Sequence, residues 1–248
     1  MTPSRVLLET CIASVADARA ASSGGADRLE LNSALWLGGL TPSLGLLIEV
    51  KAAVALPVIA MARPRPGGFR YDEGDYRVLR RDVDLMLAHG ADGIAFGILN
   101  DDGTIDLDRT RVVVRQVGDR AAVFHRAFDV VPDPFVALEQ LIDLGVRRVL
   151  TSGQQESAYN GIPLLADLIR LAAGRIEVLP AGGINRFTVK DVIDRTGCDQ
   201  VHASLRHSLP DPSTSARPRI TFGGSLRQRE DSFDTTDAGS VAELCRSL

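Results

Sequence analysis

The sequence predicts an α/β protein that folds as one (β/α)8 barrel of the TIM type. Short apolar runs that end abruptly in polar residues recur about eight times, and a helical pattern follows each of them. Strands that are buried along their length and polar only at their carboxyl ends are typical of a parallel sheet. The length of 248 residues suits one barrel of this kind. Short helix-to-strand joints favour a closed barrel over an open, doubly wound sheet.

The eight predicted strands share an apolar body and a polar end. The fifth, A-A-V-F-H-R-A-F-D, shows the pattern most plainly, because its apolar run stops at His125 and an acid follows at Asp129. The predicted strands cover residues 6–11, 26–31, 57–62, 93–97, 121–129, 148–151, 176–179 and 200–203.

Seven helical patterns alternate with these strands, and ordinary start and stop signals bound them. Ser14 can cap the first helix, and Pro42 occupies an early position of the second. Gly25, Gly90 and Gly145 stand shortly before a strand, where glycine supplies the left-handed conformation that ends a helix. The predicted helices cover residues 15–21, 41–54, 73–89, 107–117, 132–144, 164–173 and 188–195.

The regular alternation stops after the eighth strand. We therefore assign residues 1–207 to the barrel and residues 208–248 to an irregular C-terminal extension. Proline, glycine, serine and threonine are frequent there, which predicts loop, and residues 241–245 form a short closing helix. The extension either folds over the mouth of the barrel as a cover or is a plain surface tail.

Composition excludes several classes of function. The net charge of −4 and the sequence pI near 5.6 argue against a nucleic-acid surface. No apolar run approaches the roughly 18 residues that span a bilayer, and the N-terminal stretch lacks the apolar core of a secretory signal. Cys11, Cys198 and Cys245 form no C-x-x-C pair, which fits a reducing cytoplasm and gives no local zinc motif.

If the barrel is correct, the strand carboxyl ends deliver distant side chains to one mouth, where active sites of this architecture lie. Among them, Glu9 and Glu30 interrupt apolar strands, and a buried carboxylate must be paired, coordinated or protonated. One interpretation is a structural ion pair with Arg28 or Arg63. The other is a general base, or a ligand for substrate or metal.

His125 and His202 end the fifth and eighth strands. Each could be a hydrogen-bonded core residue, but two histidines beside carboxylates favour proton transfer, for which imidazole is well suited near neutral pH. Together with glutamate they could also hold a divalent metal. We therefore place His125 with Glu9 and Glu30 as candidate catalytic residues, and His202 as a candidate binding residue.

Several other residues at the predicted mouth could bind an anion. Arg63 and Arg65 flank a rigid proline and suit a carboxylate or phosphate, or they form a solvated loop pair. The glycines after the seventh strand could offer backbone N–H groups to phosphate, or they form a tight turn. The candidate binding residues are Arg63, Arg65, Asp129, Ser152, Gly182, Gly183, Asn185 and His202.

Cys11 is the one cysteine at the predicted mouth. A thiol there is either a small buried filler or a ligand for a soft ion such as Cu(I).

A set of short motifs, jointly specific, resembles a known family. They read E-T-C at 9–11, G-G-A-D-R-L-E-L at 24–31, G-G-L-T-P-S at 38–43, R-P-R at 63–65, F-H-R-A-F-D at 124–129, L-T-S-G-Q at 150–154, G-G-I-N at 182–185 and H-A-S at 202–204. In this order they closely resemble the CutC family, named for copper homeostasis, over residues 5–206. The resemblance implies a (β/α)8 barrel, a cytoplasmic location, homo-oligomers and a role in copper handling through bound Cu(I).

One residue departs from the family pattern. The family typically has a cysteine after the Glu-Leu of the second strand, where this chain has Asn32. If the family's copper site uses both cysteines, this chain keeps one thiolate, Cys11, and histidine or methionine would have to complete the site.

Three hypotheses of function remain open. The first is a metal-handling protein that binds copper at Cys11. The second is an enzyme that performs acid–base chemistry with Glu9, Glu30 and His125 on a small anionic or polyhydroxylated metabolite. The third is a regulatory barrel that senses a metabolite without turnover.

Overall fold

The computed structural model describes residues 5–222 and 229–248, and it confirms the predicted barrel. Eight strands form one sheet in the order β7-β6-β5-β4-β3-β2-β1-β8, and every paired neighbour runs parallel. Their bounds are β1 Leu7–Ile12, β2 Arg28–Leu31, β3 Val58–Met61, β4 Gly93–Phe96, β5 Ala121–Phe124, β6 Arg148–Thr151, β7 Glu177–Pro180 and β8 Gln200–Ala203.

A helix follows each of the first seven strands, close to the position that the sequence predicts. The helices are α1 Val15–Gly24, α2 Leu44–Ala53, α3 Glu73–Ala88, α4 Leu107–Val117, α5 Pro134–Asp143, α6 Ile162–Ala172, α7 Val189–Thr196 and, in the C-terminal region, α8 Ala238–Cys245. The second helix begins three residues later than predicted, because the Ser43 side chain accepts a hydrogen bond from the Leu46 N–H and caps it. Gly25, Gly90 and Gly145 have φ values of +96°, +90° and +78°, as their places at helix ends predict.

The barrel is nearly closed. The two end strands of the sheet, β7 and β8, lie side by side without a backbone ladder. A side-chain hydrogen bond crosses this gap, since Gln200 Nε2 donates to Glu177 Oε2 over 3.3 Å. The strand carboxyl ends therefore surround one mouth, as the predicted fold requires.

Two kinds of core lie on the two sides of the sheet. The outer one is apolar and packs the strands against the helices, with Phe96, Phe124 and Phe128 fully buried. Side chains of this size contribute roughly 1.5–3 kcal/mol each on burial. Inside the barrel, small apolar groups such as Ile59 and Leu179 share the space with charged side chains. These charged side chains lie directly beneath the candidate functional site.

The C-terminal region is more ordered than the sequence predicts. Strands β9 Arg206–Pro210 and β10 Ser232–Thr236 form a two-stranded antiparallel sheet where we predicted loop. The prediction failed because both strands are mostly exposed and lack an apolar face to reveal them. Residues 223–228 of the predicted loop lie outside the described residues.

Helix α8 packs on α1 and completes the ring of helices around the barrel. Its Val241 and Leu244 side chains are fully buried in the main apolar core. Gly24 in α1 permits this close approach, because a Cβ there would lie 2.5 Å from the Val241 Cβ. The Thr236 N–H also donates to Asp17 of α1 over 2.7 Å and holds the end of β10 in place.

We expect Leu244→Ala to lower the free energy of unfolding by about 2–5 kcal/mol, because it leaves a cavity between α8 and α1. Leu209 on β9 is the control, since its side chain is 37% exposed and its truncation removes little packing. Urea denaturation of both variants measures the difference. Equal, small losses would show that the closing helix contributes little to the barrel.

Within residues 5–222 and 229–248, none of the helices has the length and apolar character that crossing a membrane requires.

Candidate functional site

A cavity of about 470 Å³ opens at the carboxyl ends of the strands. It confirms that distant polar residues of the sequence converge on one mouth. Its walls come from β1, β2, β3, β6 and β8 and from the segments that follow β2, β3, β5 and β8. The lining residues are Cys11, Glu30, Asn32, Leu35, Gly38, Met61, Arg63, Phe69, His125, Arg126, Asp129, Val130, Leu150, His202, Ser204 and Arg206.

A layer of charged side chains lies in the barrel interior beneath this cavity. Glu9 forms a buried ion pair with Arg28, one of the two pairings that the sequence suggested. Arg28 Nη2 also donates to Gln200 Oε1 over 2.8 Å, and Arg148 Nε donates to the same oxygen over 3.1 Å. Glu177 pairs with Arg148 and completes what we call the charged layer.

Glu9 also holds His202 in place. The ring atom His202 Nδ1 lies 2.8 Å from Glu9 Oε1, and the opposite atom, Nε2, lies 3.9 Å from Glu30 Oε2. The two oxygens of Glu9 are therefore engaged by Arg28 and His202. This arrangement fixes the ring so that Nε2 faces Glu30.

Three side chains at the base of the cavity lie close enough to bind one metal ion. The sulfur of Cys11, a carboxylate oxygen of Glu30 and a ring nitrogen of His202 all lie within 4.8 Å of one another, and all three residues are buried. We call these three residues the metal cluster. In the part of the chain that the structure describes, it is the one such group of histidine, cysteine and acidic residues.

Asn32 lies directly beside the metal cluster. Its amide Nδ2 donates to Glu30 Oε2 over 2.9 Å and lies 3.4 Å from the Cys11 sulfur. At this position the family pattern has a cysteine. Asn32 therefore places an amide donor where a second thiol would face Cys11.

Burial and charge set the protonation of this region. Burial raises the pKa of Glu9, but Arg28 and His202 outweigh it, so the pKa lies far below its ordinary value. Burial lowers the pKa of His202, yet the Glu30 charge and the contacts with Cys11 and Glu9 raise it well above its ordinary value. Burial raises the pKa values of both Cys11 and Glu30. The metal-free site thus holds an imidazolium and a protonated thiol.

His125 has a different environment from His202. Its Nδ1 accepts a hydrogen bond from the Ala127 N–H over 3.1 Å, so the neutral ring carries its proton on Nε2. Burial, reinforced by the Arg63 charge, lowers its pKa to about 3. His125 is therefore a neutral hydrogen-bond donor at neutral pH, and its role as a catalytic acid or base stays a prediction.

This protonation state makes stability depend on pH. His125 stays neutral in the folded chain down to a pKa of about 3, whereas the unfolded chain takes up the proton near pH 6.5. Between these values stability falls as the pH falls, by up to about 1.4 kcal/mol per pH unit from this residue. We expect His125→Asn, whose amide oxygen can still accept from Ala127, to remove that part of the slope in urea denaturation. The same change at exposed His207 should leave the slope intact.

The two arginines of the R-P-R motif have different surroundings. Arg63 is buried and donates through its Nη atoms to the carbonyl oxygens of Leu37, Gly39 and Gly67 at 2.7–3.0 Å. Arg63 lines the cavity, and its Nε has no hydrogen-bond partner among the described residues. Arg65 pairs with Asp75 over 2.6 Å and does not line the cavity.

Asp129 and Ser152 organise the loop after β6. Asp129 Oδ1 accepts from the Thr151 hydroxyl over 2.6 Å and from the Ser152 N–H over 2.9 Å, and Arg126 pairs with its other oxygen over 2.7 Å. Asp129 lines the cavity, whereas Ser152 is fully buried behind it. These contacts describe a structural clamp, and direct ligand binding by either residue stays a prediction.

The glycine-rich turn after β7 lies away from the cavity lining. Gly182 and Gly183 have φ values of +99° and +71°, so they form a tight turn that other residues rarely adopt. Asn185 closes the turn, because its side-chain Nδ2 donates to the Gly183 carbonyl over 3.0 Å. Phosphate binding at this turn stays a prediction.

Some residues of the cavity were missing from the sequence prediction. They include Met61, Phe69, Arg126 and Arg206, which line the cavity beside the expected residues. Met61 could have been found from its position two residues before Arg63, since alternate residues of a strand face the same side. Arg206 could not, because the strand that carries it was not predicted.

Comparison with known proteins gives a consistent result. The family model described as CutC family matches residues 6–207. A family protein CutC of Treponema denticola is 46% identical over 98% of this chain and 99% of its own length. A copper homeostasis protein cutC homolog of Mus musculus is 42% identical over 96% of this chain and 88% of its own. A crystal structure of CutC from Streptococcus agalactiae superposes with a TM-score of 0.76 at 29% identity, covering 79% of this chain and 97% of that one.

Proposed function

Because this chain belongs to the CutC family, we propose that it takes part in copper homeostasis by binding Cu(I) at the metal cluster. The observation that supports this most is the approach of the Cys11 sulfur, a Glu30 oxygen and a His202 nitrogen to within 4.8 Å. Cu(I) prefers soft thiolate and thioether ligands, and imidazole also suits copper. Cys11 and His202 are therefore the ligands we assign, with Glu30 beside them.

The surroundings of His202 support a role as metal ligand. A histidine that binds a metal usually donates its other ring N–H to a carboxylate, which fixes its orientation. Glu9 accepts from His202 Nδ1 in this way, and Arg28 holds Glu9. Met61 lines the same cavity and offers a thioether as a further soft ligand.

Cu(I) binding must displace two protons, one from the Cys11 thiol and one from the His202 ring. Affinity for Cu(I) is therefore expected to rise with pH as both groups lose their protons more easily. A competition titration against a Cu(I) chelator, under reducing conditions, tests the proposal on wild type, Cys11→Ser and His202→Gln. We expect one Cu(I) per chain in the wild type and a loss of about 100-fold or more in each variant. Absence of stoichiometric binding in the wild type would remove the proposal.

The cytoplasmic location and the homo-oligomer implied by the family resemblance belong to the same proposal. The three cysteines are free, as expected in a reducing compartment. Light scattering of the purified chain measures the oligomer size.

The enzyme hypothesis keeps one supporting observation. The cavity has a volume of about 470 Å³, whereas a water molecule occupies about 30 Å³ in the liquid. The cavity is therefore far larger than a single metal ion requires. Incubation with hydroxylated metabolites, followed by mass spectrometry, separates turnover from binding without change.

A further inference from the structure

In the described part of the chain, five of the ten buried side-chain polar atoms without a hydrogen-bond partner belong to residues that line the cavity. Some of these atoms are donors and others are acceptors. The donors are Arg63 Nε, His125 Nε2 and Arg206 Nε, and the acceptors are Glu30 Oε1 and Asn32 Oδ1. Leaving such atoms unpaired costs about 1–3 kcal/mol each, so the pattern indicates a bound molecule that satisfies them.

The donors carry an uncompensated positive charge. The Arg63 and His125 side chains are only 6% and 3% exposed, and both contact the Phe69 ring, at 5.2 Å and 5.0 Å. Among the described side chains, no carboxylate forms an ion pair with Arg63, although nearly every other buried charge in the barrel has one. A buried guanidinium without a counter-ion favours an anionic ligand.

The position of His125 is fixed as a donor toward the same space. Gly97 lies behind the ring, where a Cβ would come within 2.5 Å of His125 Cε1. With Nδ1 held by Ala127, only the Nε2 proton is free to point to a ligand. One cation and one neutral donor match the charge of a single carboxylate better than that of a dianion.

The acceptors require donors from the ligand. Glu30 Oε1 and Asn32 Oδ1 lie on residues that are 3% and 1% exposed, and neither oxygen has a partner within residues 5–222 and 229–248. Hydroxyl groups can donate to both oxygens, whereas a carboxylate cannot.

We propose that the cavity binds a small hydroxylated monocarboxylate, with its carboxylate on Arg63 and His125 and its hydroxyls on Glu30 and Asn32. The carboxylate end of this subsite lies outside the metal cluster, whereas the hydroxyl end shares Glu30 with it, so the test uses the metal-free protein. The volume of about 470 Å³ accommodates an acid of three to six carbons.

The test is calorimetric titration of the metal-free protein, kept in a chelator, with D-glycerate and D-gluconate. Sorbitol, which lacks the carboxylate, and hexanoate, which lacks the hydroxyls, are matched control ligands. We expect saturable binding of at least one hydroxy acid, and at least tenfold weaker binding of both controls. No binding of either acid up to about 10 mM, or equal binding of a control, would overturn the proposal.

Two histidine variants locate the ligand. His125→Asn keeps an acceptor for the Ala127 N–H but removes the Nε2 donor, and we expect it to weaken binding at least tenfold. His207→Asn is the matched control, because His207 is exposed and does not line the cavity, and this variant should bind the hydroxy acid as the wild type does. Unchanged affinity in a folded His125→Asn, confirmed by circular dichroism, would contradict the proposed site.

Discussion

Replacing Asn32 with cysteine is expected to tighten Cu(I) binding by about 100-fold, because it adds a second thiolate to the metal cluster. Asn32 Nδ2 lies 3.4 Å from the Cys11 sulfur, so a thiol at this position starts within reach of the same ion. Two sulfur ligands satisfy the preference of Cu(I) better than one sulfur and one imidazole. Competition with a Cu(I) chelator measures the change in affinity. Reducing conditions prevent a disulfide between residues 11 and 32.

Asn32→Ser is the matched control for this prediction. It removes the amide that donates to Glu30 and Cys11 but supplies no thiolate, so it should not strengthen copper binding. The double variant Asn32→Cys with Cys11→Ser should return to the affinity of a single thiolate. If Asn32→Cys binds no more tightly than the wild type, Cu(I) does not bind beside Cys11.

Removing the Glu9 carboxylate is expected to be the most damaging single change to stability. Glu9→Ala leaves Arg28, whose side chain is only 11% exposed, without its counter-ion, and truncating one partner of a buried pair costs about 3–5 kcal/mol. His202 can lose its proton in response, whereas the guanidinium of Arg28 cannot. Chemical denaturation at neutral pH measures the loss.

Two further variants test whether the unpaired buried charge of Arg28 causes the loss of stability. Glu9→Gln keeps the shape of the side chain and part of its hydrogen bonding. Its free energy of unfolding should therefore lie between those of the wild type and Glu9→Ala. Asp167→Ala breaks a surface pair with Arg170, in which both side chains are well exposed, and should cost at most about 1 kcal/mol. A Glu9→Ala protein as stable as the Asp167→Ala protein would contradict the described network.

Most of the fold could be predicted from the sequence because two local signals repeat along the chain. Glycines at helix ends and apolar runs with polar ends located the eight strands closely, and the barrel followed from their alternation. The same reasoning brought Cys11, Glu30 and His202 to one mouth, because all three lie near carboxyl ends of neighbouring strands.

Beyond the Glu9–Arg28 pair, which the sequence suggested, the charged layer inside the barrel was harder to predict. Arg28 and Gln200 lie at strand beginnings, which sequence reasoning takes as the stable end of a barrel and away from chemistry. Their contact with Arg148 depends on which strands face each other across the interior, and local periodicity does not contain that information. A search for polar residues at alternate positions, such as Arg28 and Glu30, would have indicated them.

The roles of individual site residues were also beyond the sequence. His125 and His202 both end barrel strands, yet one is a neutral donor and the other an imidazolium. Burial lowers the pKa of both rings; the Arg63 charge adds to this at His125, whereas Glu30, Cys11 and Glu9 outweigh it at His202. Such partners are three-dimensional neighbours, and only the fold identifies them.

X-ray absorption spectroscopy of the Cu(I)-loaded protein tests the central claim most directly, because it identifies the atoms bound to the metal. We expect sulfur and imidazole nitrogen in the wild-type coordination shell, loss of the thiolate sulfur in Cys11→Ser, and loss of the imidazole signal in His202→Gln. Met61→Leu determines whether the thioether contributes. A shell of oxygen alone, or a spectrum that Cys11→Ser leaves unchanged, would contradict copper binding at the base of the barrel cavity.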